Sequence, residues 1–492
     1  MINITAKGIT KAYQTVTILG GVDVVLNEGD KVVLVGENGS GKSTLLKILS
    51  DVIEPDQGTV TVEQYQQATY VAQDFSGDLE SSGYDFIGSD KILRRALRML
   101  AELDFSEDLL SLETKLLSGG QKKILEVVRG FASGARFLFL DEPENHLDYF
   151  GREWLIEAIE RYRGGVLIVS HDQYLIDSVA NKIIELEDGK LTSYHGDYQF
   201  YLDQRMRQLE GRYHQWAENQ KEIERHKEMV VQLRQKVKKI RKLAGTYQNK
   251  VRVLDRLIKE QIERPKLERK AINIKVSDVE RKGGKRILLI RDLTLDFDGH
   301  PIFRNVDLQL NFGEKVCLFG RNGSGKTSLF RLVQSEIAPT SGEVKLGVNL
   351  SLCYFAQNHV EDLDLSRTPL EELQTTTRES DYNTRVRLSK FLIDSTNATK
   401  KIQALSGGQK TRLRFAKLFS RPIDFLMLDE PTNHLDRLSW QVLVQAIKDF
   451  QGTVLLISHD RNFIDETMSK LWVIDNASIR EFHGNLSQFI EQ

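Results

Sequence analysis

Val32-Val33-Leu34-Val35-Gly36-Glu37-Asn38-Gly39-Ser40-Gly41-Lys42-Ser43-Thr44 reads as a buried strand, a glycine-rich turn and the first turn of a helix. Four consecutive apolar residues suit a parallel strand covered on both faces. Gly36, Gly39 and Gly41, with Asn38 among them, let backbone N–H groups converge on an anion at the positive end of the helix dipole. Lys42 supplies a cation for the outer phosphates, and the Ser43 hydroxyl is suited to Mg²⁺. The eight-residue pattern from Gly36 to Ser43, in its strand-to-helix context, is that of a phosphate loop; a glycine-rich turn alone carries little information.

Downstream, the apolar run Phe137-Leu138-Phe139-Leu140 ends in Asp141-Glu142, two carboxylates at the tip of a parallel-type strand. Asp141 fits Mg²⁺ binding through water, and Glu142 fits a residue that orients or deprotonates an attacking water. Between the loop and this strand lie Gln73 and Leu117-Ser118-Gly119-Gly120-Gln121, which precedes a helix. Taken alone, Ser118 would simply cap that helix; beside a phosphate loop and an Asp-Glu strand end, it reads as part of a site. Asn145-His146-Leu147-Asp148 follows, then the strand Val166-Leu167-Ile168-Val169 running into Ser170-His171-Asp172. A lone histidine is usually structural, but ligand groups gather at the carboxyl ends of parallel strands, so His171 is assigned to the γ-phosphate.

The whole series recurs. Gly320-Arg321-Asn322-Gly323-Ser324-Gly325-Lys326-Thr327-Ser328 is a second phosphate loop, followed by Gln357, Ser406-Gly407-Gly408-Gln409, Asp429-Glu430, Asn433-His434-Leu435-Asp436 and His459. Lys42 and Gln73 lie 284 residues before Lys326 and Gln357, whereas Ser118, Asp141 and His171 lie 288 before Ser406, Asp429 and His459, so a net four residues separate the copies between Gln357 and Ser406. Glu142 and Glu430 are both present, so neither copy looks degenerate. The visible departure is Glu144 where the repeat has Thr432, outside the assigned catalytic set.

The stretch between the copies is different in kind. Met206, Leu209, Tyr213, Trp216, Ile223, Val230, Val237 and Ile240 recur at steps of three, four or seven, a helical seam. With Gly245 as the first expected break, a helix of close to 40 residues would extend roughly 60 Å. Val251, Leu254, Ile258 and Ile262 mark a second, shorter helix ending before Pro265, which makes the segment an antiparallel hairpin. From Arg205 to Lys270 there are 20 Lys or Arg against 9 Asp or Glu, and from Arg234 to Arg256 the count is 9 against 1. A solvated helix face commonly carries both signs. Acids are nearly absent where the chain turns back, and a phosphate backbone is the partner that matches such a concentration.

The 492-residue chain is long enough for several cores, and its net charge of −2 hides a hairpin of about +11 between flanks that total about −13. No apolar run of membrane-spanning length and no leader-like opening occurs, which sets the expectation of a cytoplasmic protein. Cys317 and Cys353 sit in apolar runs and are expected to be buried, without redox or metal roles.

These motifs resemble the nucleotide-binding domains of ATP-binding-cassette proteins over most of each repeat. The resemblance implies an α/β fold, ATP and Mg²⁺ as cofactors, and Mg²⁺ contacts from Ser43, Gln73 and Asp141 in one site and Thr327, Gln357 and Asp429 in the other, partly through water. Tyr13 stands 23 residues before Gly36, as Phe297 does before Gly320, which makes them the adenine-stacking rings of the family. Family members close head to tail. One site would therefore join Lys42, Ser43, Asp141, Glu142 and His171 to Ser406, Gly407 and Gly408, and the other Lys326, Thr327, Asp429, Glu430 and His459 to Ser118, Gly119 and Gly120.

Tandem cassettes joined by a basic helical hairpin resemble the ABC-F family. That resemblance implies domains at 1–201, 202–270 and 271–492, and a monomer that pairs its own two cassettes around two ATP molecules. The implied partner is the bacterial ribosome, bound at the tRNA exit site, with the hairpin tip at 238–250 near peptidyl-tRNA. Lys238, Lys239, Arg241, Lys242, Tyr247, Lys250 and Arg252 are the expected RNA contacts. The short stretch between Gln73 and Ser118 leaves no room for the inserted arm of some members, and the chain ends are those expected of a bacterial form lacking the C-terminal coiled coil of the DNA-associated branch. Two family roles, general translation factor and antibiotic-protection factor, remain open. Outside the family, the alternatives are an importer ATPase subunit or a DNA-associated ATPase.

Overall fold

The strand that feeds the first phosphate loop, Lys31–Val35, lies inside a six-stranded sheet in the order Ala68–Val71, Phe137–Asp141, Gly165–Val169, Lys31–Val35, Lys182–Glu187, Lys190–His195. The first five strands run parallel and the last pair is antiparallel. Phe137–Asp141 and Gly165–Val169 are buried along their whole length, which is why they are apolar without alternation. This computed structural model describes residues 3–14, 16–37, 39–62, 68–103, 105–170, 172–237, 244–260, 286–297, 299–356, 363–433 and 435–492.

A second, antiparallel sheet has Asn3–Tyr13 between Val16–Asn27 and Gln57–Val62. Ile4, Leu19 and Leu26 from it share one core with Leu46 of the loop helix and Phe137 and Phe139 of the large sheet. A further core, with Phe86, Leu100, Leu110, Leu125 and Val128, ties the segment after Gln73 to the helix Gly119–Ala132. That helix thereby keeps a fixed place relative to Gln73.

The repeat folds the same way. Its large sheet runs Leu352–Ala356, Phe425–Asp429, Thr453–Ile457, Lys315–Phe319, Lys470–Asp475, Ser478–His483, and its small sheet centres on Arg286–Phe297. Trp472 is fully buried, and its indole N–H donates to Glu481 Oε1 at 3.1 Å. Cys317 is buried as expected. Cys353 is only half-buried, because Leu352–Ala356 is the edge strand of its sheet and one flank lacks a neighbour.

Residues Met1–Asp197 and Ile272–Gln492 form one compact unit, and Tyr198–Ala271 another. The second unit has a 40-residue helix, Tyr198–Val237, and a shorter one, Ala244–Lys259, packed along it. The expected break at Gly245 is corrected: Gly245 sits in the first turn of the second helix, where a glycine near a terminus costs little. Among the described residues no helix is long and apolar enough to cross a membrane.

Candidate nucleotide sites

Both phosphate loops close around their own lysine. Lys42 Nζ donates to the carbonyls of Gly36 and Glu37 at 2.9 and 3.0 Å, and Lys326 Nζ donates to those of Gly320 and Arg321 at 2.8 and 2.9 Å. Burial lowers the pKa of both ammonium groups, and nearby carboxylates oppose the shift. Gly41 and Gly325 adopt φ of 104° and 100° at the N-caps of helices Lys42–Leu49 and Lys326–Val333. A Cβ at either position would meet Ile18 or Ile302 at 2.3 or 2.4 Å, so the left-handed turn and the close packing both demand glycine. Gly36, Gly39, Gly320 and Gly323 complete the turns. Ser43, Thr44, Thr327 and Ser328 begin the helices. The hydroxyls of Ser40 and Ser324, at matching loop positions, are buried and have no hydrogen-bond partner, as suits a cradle for an acceptor-rich anion.

The strand tips bring the acids to these loops. Asp141 receives the Tyr70 hydroxyl at 2.9 Å and Asp429 that of Tyr354 at 3.2 Å. Burial raises the pKa of both carboxyls. The Ser43 hydroxyl favours the ionised form of Asp141, and Asp141 acts electrostatically on Lys42, so hydroxyl and carboxylate lie together beside the loop where a hard cation would be held. Ser43 with Asp141, and Thr327 with Asp429, therefore fit Mg²⁺, which supplies charge neutralisation to the phosphates when bound. Glu142 and Glu430 share an unusual backbone, φ 45° and 47°, held by N–H bonds to the carbonyls of Val169 and Ile457, each at 2.9 Å. Left-handed backbone at a non-glycine residue, repeated in both copies at the acid that follows the strand, is a strained conformation of the kind that clusters at functional sites.

The two glutamates differ in their partners. Glu142 Oε2 accepts Gln73 Nε2 at 2.9 Å and Asn145 Nδ2 at 2.7 Å. Both oxygens of Glu430 are shut from solvent; the backbone N–H of His459 favours the ionised carboxylate, and His459 Nε2 stands 3.4 Å from Oε1. Burial pushes the Glu430 carboxyl up to about 7, and Arg152 and Lys326 pull the other way. Burial also holds His459 well below the ordinary imidazole range, so it is neutral.

Ser118 and Ser406 are the N-caps of helices Gly119–Ala132 and Gly407–Leu418, each in a reciprocal box with Gln121 or Gln409. Capping uses an acceptor lone pair and leaves the hydroxyl proton for a ligand, so the structural and functional readings of these serines hold together. Lys123, on the first of these helices, donates to the carbonyls of Ala72 and Gln73 at 2.8 and 3.2 Å and so fixes the Gln73 turn.

The loop of the second copy meets the first copy at Asp148. One oxygen, Oδ1, caps helix Tyr149–Arg161 through Gly151 N at 2.9 Å; the other, Oδ2, accepts Asn322 N at 2.8 Å. Asn322 Nδ2 donates to His146 O at 3.0 Å, and a Cβ on Gly120 would lie 2.8 Å from Asn322 Nδ2. Gly120 is thus at the second phosphate loop, with Ser118 and Gly119 beside it in sequence. Asp436, the counterpart of Asp148, turns Oδ1 to Ser439 N at 2.7 Å and to Arg412 at 3.4 Å, within its own copy.

Tyr13 and Phe297 end matching strands of the small sheets and are 49% and 44% exposed, free to stack on a flat ring. Tyr247, Lys250 and Arg252 lie on helix Ala244–Lys259, with Tyr247 and Lys250 half-buried and Arg252 exposed. Asn38, His171, Gln357, Lys238, Lys239, Arg241 and Lys242 lie outside the described residues. Sequence reasoning missed Tyr70, Tyr354, Asn145, Lys123 and Arg152. Of these, Tyr70 and Tyr354 carried a signal, since they precede Gln73 and Gln357 by the same three residues, and so did Asn145, which recurs as Asn433.

Residues 19–145 and 303–433 match the ABC transporter family model, and 184–276 match a second model of the same description. The chain is 31% identical to the ATP-binding protein Uup of Escherichia coli strain K12, over 96% of this chain and 80% of that protein. It is 30% identical to ABC transporter F family member 2 of Arabidopsis thaliana, over 99% and 78%. Among solved structures it shares its fold with the archaeal ribosome recycling factor aABCE1, crystallised with the ribosomal stalk protein aP1. There the TM-score is 0.67 at 20% identity, covering 98% of this chain and 92% of that one. With two cassettes of matching geometry and relatives aligned along nearly its whole length, the chain belongs to the ABC-F family and is an ATPase that uses ATP with Mg²⁺.

Proposed function

We propose that this ATPase works in the cytoplasm on the bacterial ribosome as a monomer that closes its two cassettes over two ATP molecules. In the closed form it occupies the tRNA exit site, and the hairpin reaches toward peptidyl-tRNA and the peptidyl-transferase centre. The observation that carries this reading is the charge of the hairpin, 9 basic residues against 1 acid from Arg234 to Arg256, within a chain whose net charge is −2. Such segregation serves binding to a polyanion at one place rather than general adhesion. The domain division at 1–201, 202–270 and 271–492 goes with it.

Within each site the chain's own residues divide the work. Loop N–H groups and Lys42 or Lys326 hold the phosphates, and the helix start at Ser406 or Ser118 brings further N–H donors from the other cassette. Glu142 and Glu430 hold the attacking water and take its proton, while His171 and His459 sit at the γ-phosphate. Hydrolysis removes the group that bridges the cassettes and drives release. The two roles, control of translation and protection against ribosome-targeting drugs, share this cycle and differ only in what the tip displaces.

The test is Glu142→Gln with Glu430→Gln, which keeps shape and hydrogen bonding but removes the base. The double variant is expected to bind ATP, hydrolyse it at least about 100-fold more slowly and accumulate on ribosomes in lysate gradients. Parental hydrolysis would remove both glutamates from the mechanism. Sedimentation with membranes or DNA instead of ribosomes would replace the partner.

A further inference from the structure

Helices Tyr149–Arg161 and Arg437–Asp449 are equivalent, yet Arg152 in the first stands where Trp440 stands in the second, 288 residues on. Both side chains perform one local task. Arg152 Nη1 donates to Asp172 Oδ2 at 2.8 Å, and Trp440 Nε1 donates to Asp460 Oδ2 at 2.7 Å, each pinning the aspartate that follows the strand-end histidine. An indole has a single N–H and is then spent, whereas a guanidinium has five. Arg152 uses its surplus across the cassette boundary: Nη1 also donates to the backbone carbonyl of His459 at 3.2 Å, and Nε holds Leu147 O of its own cassette at 3.3 Å.

The surroundings of this guanidinium are acidic on both sides. Asp172 and Glu144 come from the first cassette, Glu430 and Asp460 from the second, and all four favour the charged arginine against its burial. Arg152 and Lys326 are the cations that act electrostatically on Glu430. Lys326 belongs to the same cassette as Glu430, whereas Arg152 does not. Glu142 is held differently, by Gln73 and Asn145 of its own cassette.

We propose that Arg152 is a positioning residue acting across the interface on the second site: when the cassettes close, it fixes the backbone of His459, whose Nε2 stands 3.4 Å from Glu430 Oε1. Hydrolysis at the second site therefore depends on the first cassette through a bond that Trp440, in the equivalent place with its one N–H given to Asp460, cannot make. The inference rests on the reading of Glu142 and Glu430 as the residues that activate water.

Single-turnover hydrolysis of labelled ATP by the full chain tests it, because one turnover needs no reopening. With Glu142→Gln only the second site reacts, and with Glu430→Gln only the first. In the Glu142→Gln background, Arg152→Met is expected to slow the reaction about tenfold, the scale of one charge-assisted hydrogen bond. Half-saturation by ATP should stay within about twofold, because the residue touches no phosphate. Arg152→Lys, which keeps the charge but loses the Nε bond to Leu147 O that orients the side chain, is expected to fall about threefold. In the Glu430→Gln background Arg152→Met loses only the bonds to Asp172 and Leu147 of its own cassette, so the slowing should be at least about threefold smaller than with Glu142→Gln, and the turnover that remains shows that the variant is folded. If Arg152→Met fails to fold, Arg152→Lys in the two backgrounds decides the matter by the same contrast. Equal slowing in both backgrounds, or none with Glu142→Gln, overturns the proposal. Parental hydrolysis by the Glu142→Gln, Glu430→Gln double variant would refute the glutamate assignment itself and take the inference with it.

Discussion

Asp148 of the first cassette and Asn322 of the second are joined by a 2.8 Å hydrogen bond from a phosphate-loop N–H to a carboxylate whose other oxygen caps a helix. One side chain thus couples a local element to the pairing of the cassettes, and the two duties can be separated. Asp148→Ala loses the cap and is expected to cost about 1 kcal/mol of stability. Asp148→Asn keeps an oxygen for the cap but turns N–H toward N–H at Asn322, so its melting temperature without nucleotide should stay near the parent's while the upward shift produced by ATP shrinks. An undiminished ATP shift in Asp148→Asn would show that this bond does not serve closure.

The exposed rings at the strand ends are expected to hold adenine. Replacing Tyr13 or Phe297 by Ala should weaken ATP binding by about 1–3 kcal/mol per site, if stacking of bases on aromatic side chains is the guide. Equilibrium binding of a fluorescent ATP analogue measures it, and affinities equal to the parent's in both variants would take the rings out of the sites.

Glu144 should leave a mark on the pH dependence of stability. Burial and the neighbouring Asp172 raise its pKa to about 6, while the Ser170 hydroxyl, 2.6 Å away, opposes the shift. A folded-state pKa above the ordinary 4.5 means the native protein binds more protons than the unfolded chain between those values, so stability falls as pH rises through that window. Glu144→Gln removes this term. Its melting temperature relative to the parent should climb from pH 4.5 to about 6.5 and then level, a gain of about 2 kcal/mol from a shift of this size. A difference independent of pH would show that Glu144 does not titrate there.

The hairpin tip exposes the partner reading most. Changing Lys238, Lys239, Arg241 and Lys242 together to Gln removes four candidate phosphate contacts, so ribosome binding should weaken and its salt dependence become shallower by about three to four log units per log unit of salt. ATP hydrolysis by the free protein should persist, because no residue of either nucleotide site is altered. Ribosome co-sedimentation across a salt series checks the first point. A translation assay with and without peptidyl-transferase drugs then tells a general factor from a protective one.

What the sequence by itself determined was local. A phosphate loop is a run of consecutive residues whose glycines set the backbone. Ser118 with Gln121, and Ser406 with Gln409, are capping boxes closed over three residues. The 40-residue helix follows from its apolar spacing and lack of proline. The recurrence of these motifs in the same order made two like domains legible before any contact was known. The tertiary structure alone decided what the copies do to one another. Asp148 and Asn322 are 174 residues apart, and Arg152 and His459 are 307 apart, so no local pattern links them. A motif comparison treats Glu142 and Glu430 as the same residue, and Arg152 and Trp440 as an unremarked difference. In the fold one glutamate is held by neighbours of its own cassette, while the other faces a histidine whose backbone is bound by an arginine of the opposite one. The physical reason is that burial and charge depend on what surrounds a group in space, and at this interface that is set by two distant parts of the chain brought together.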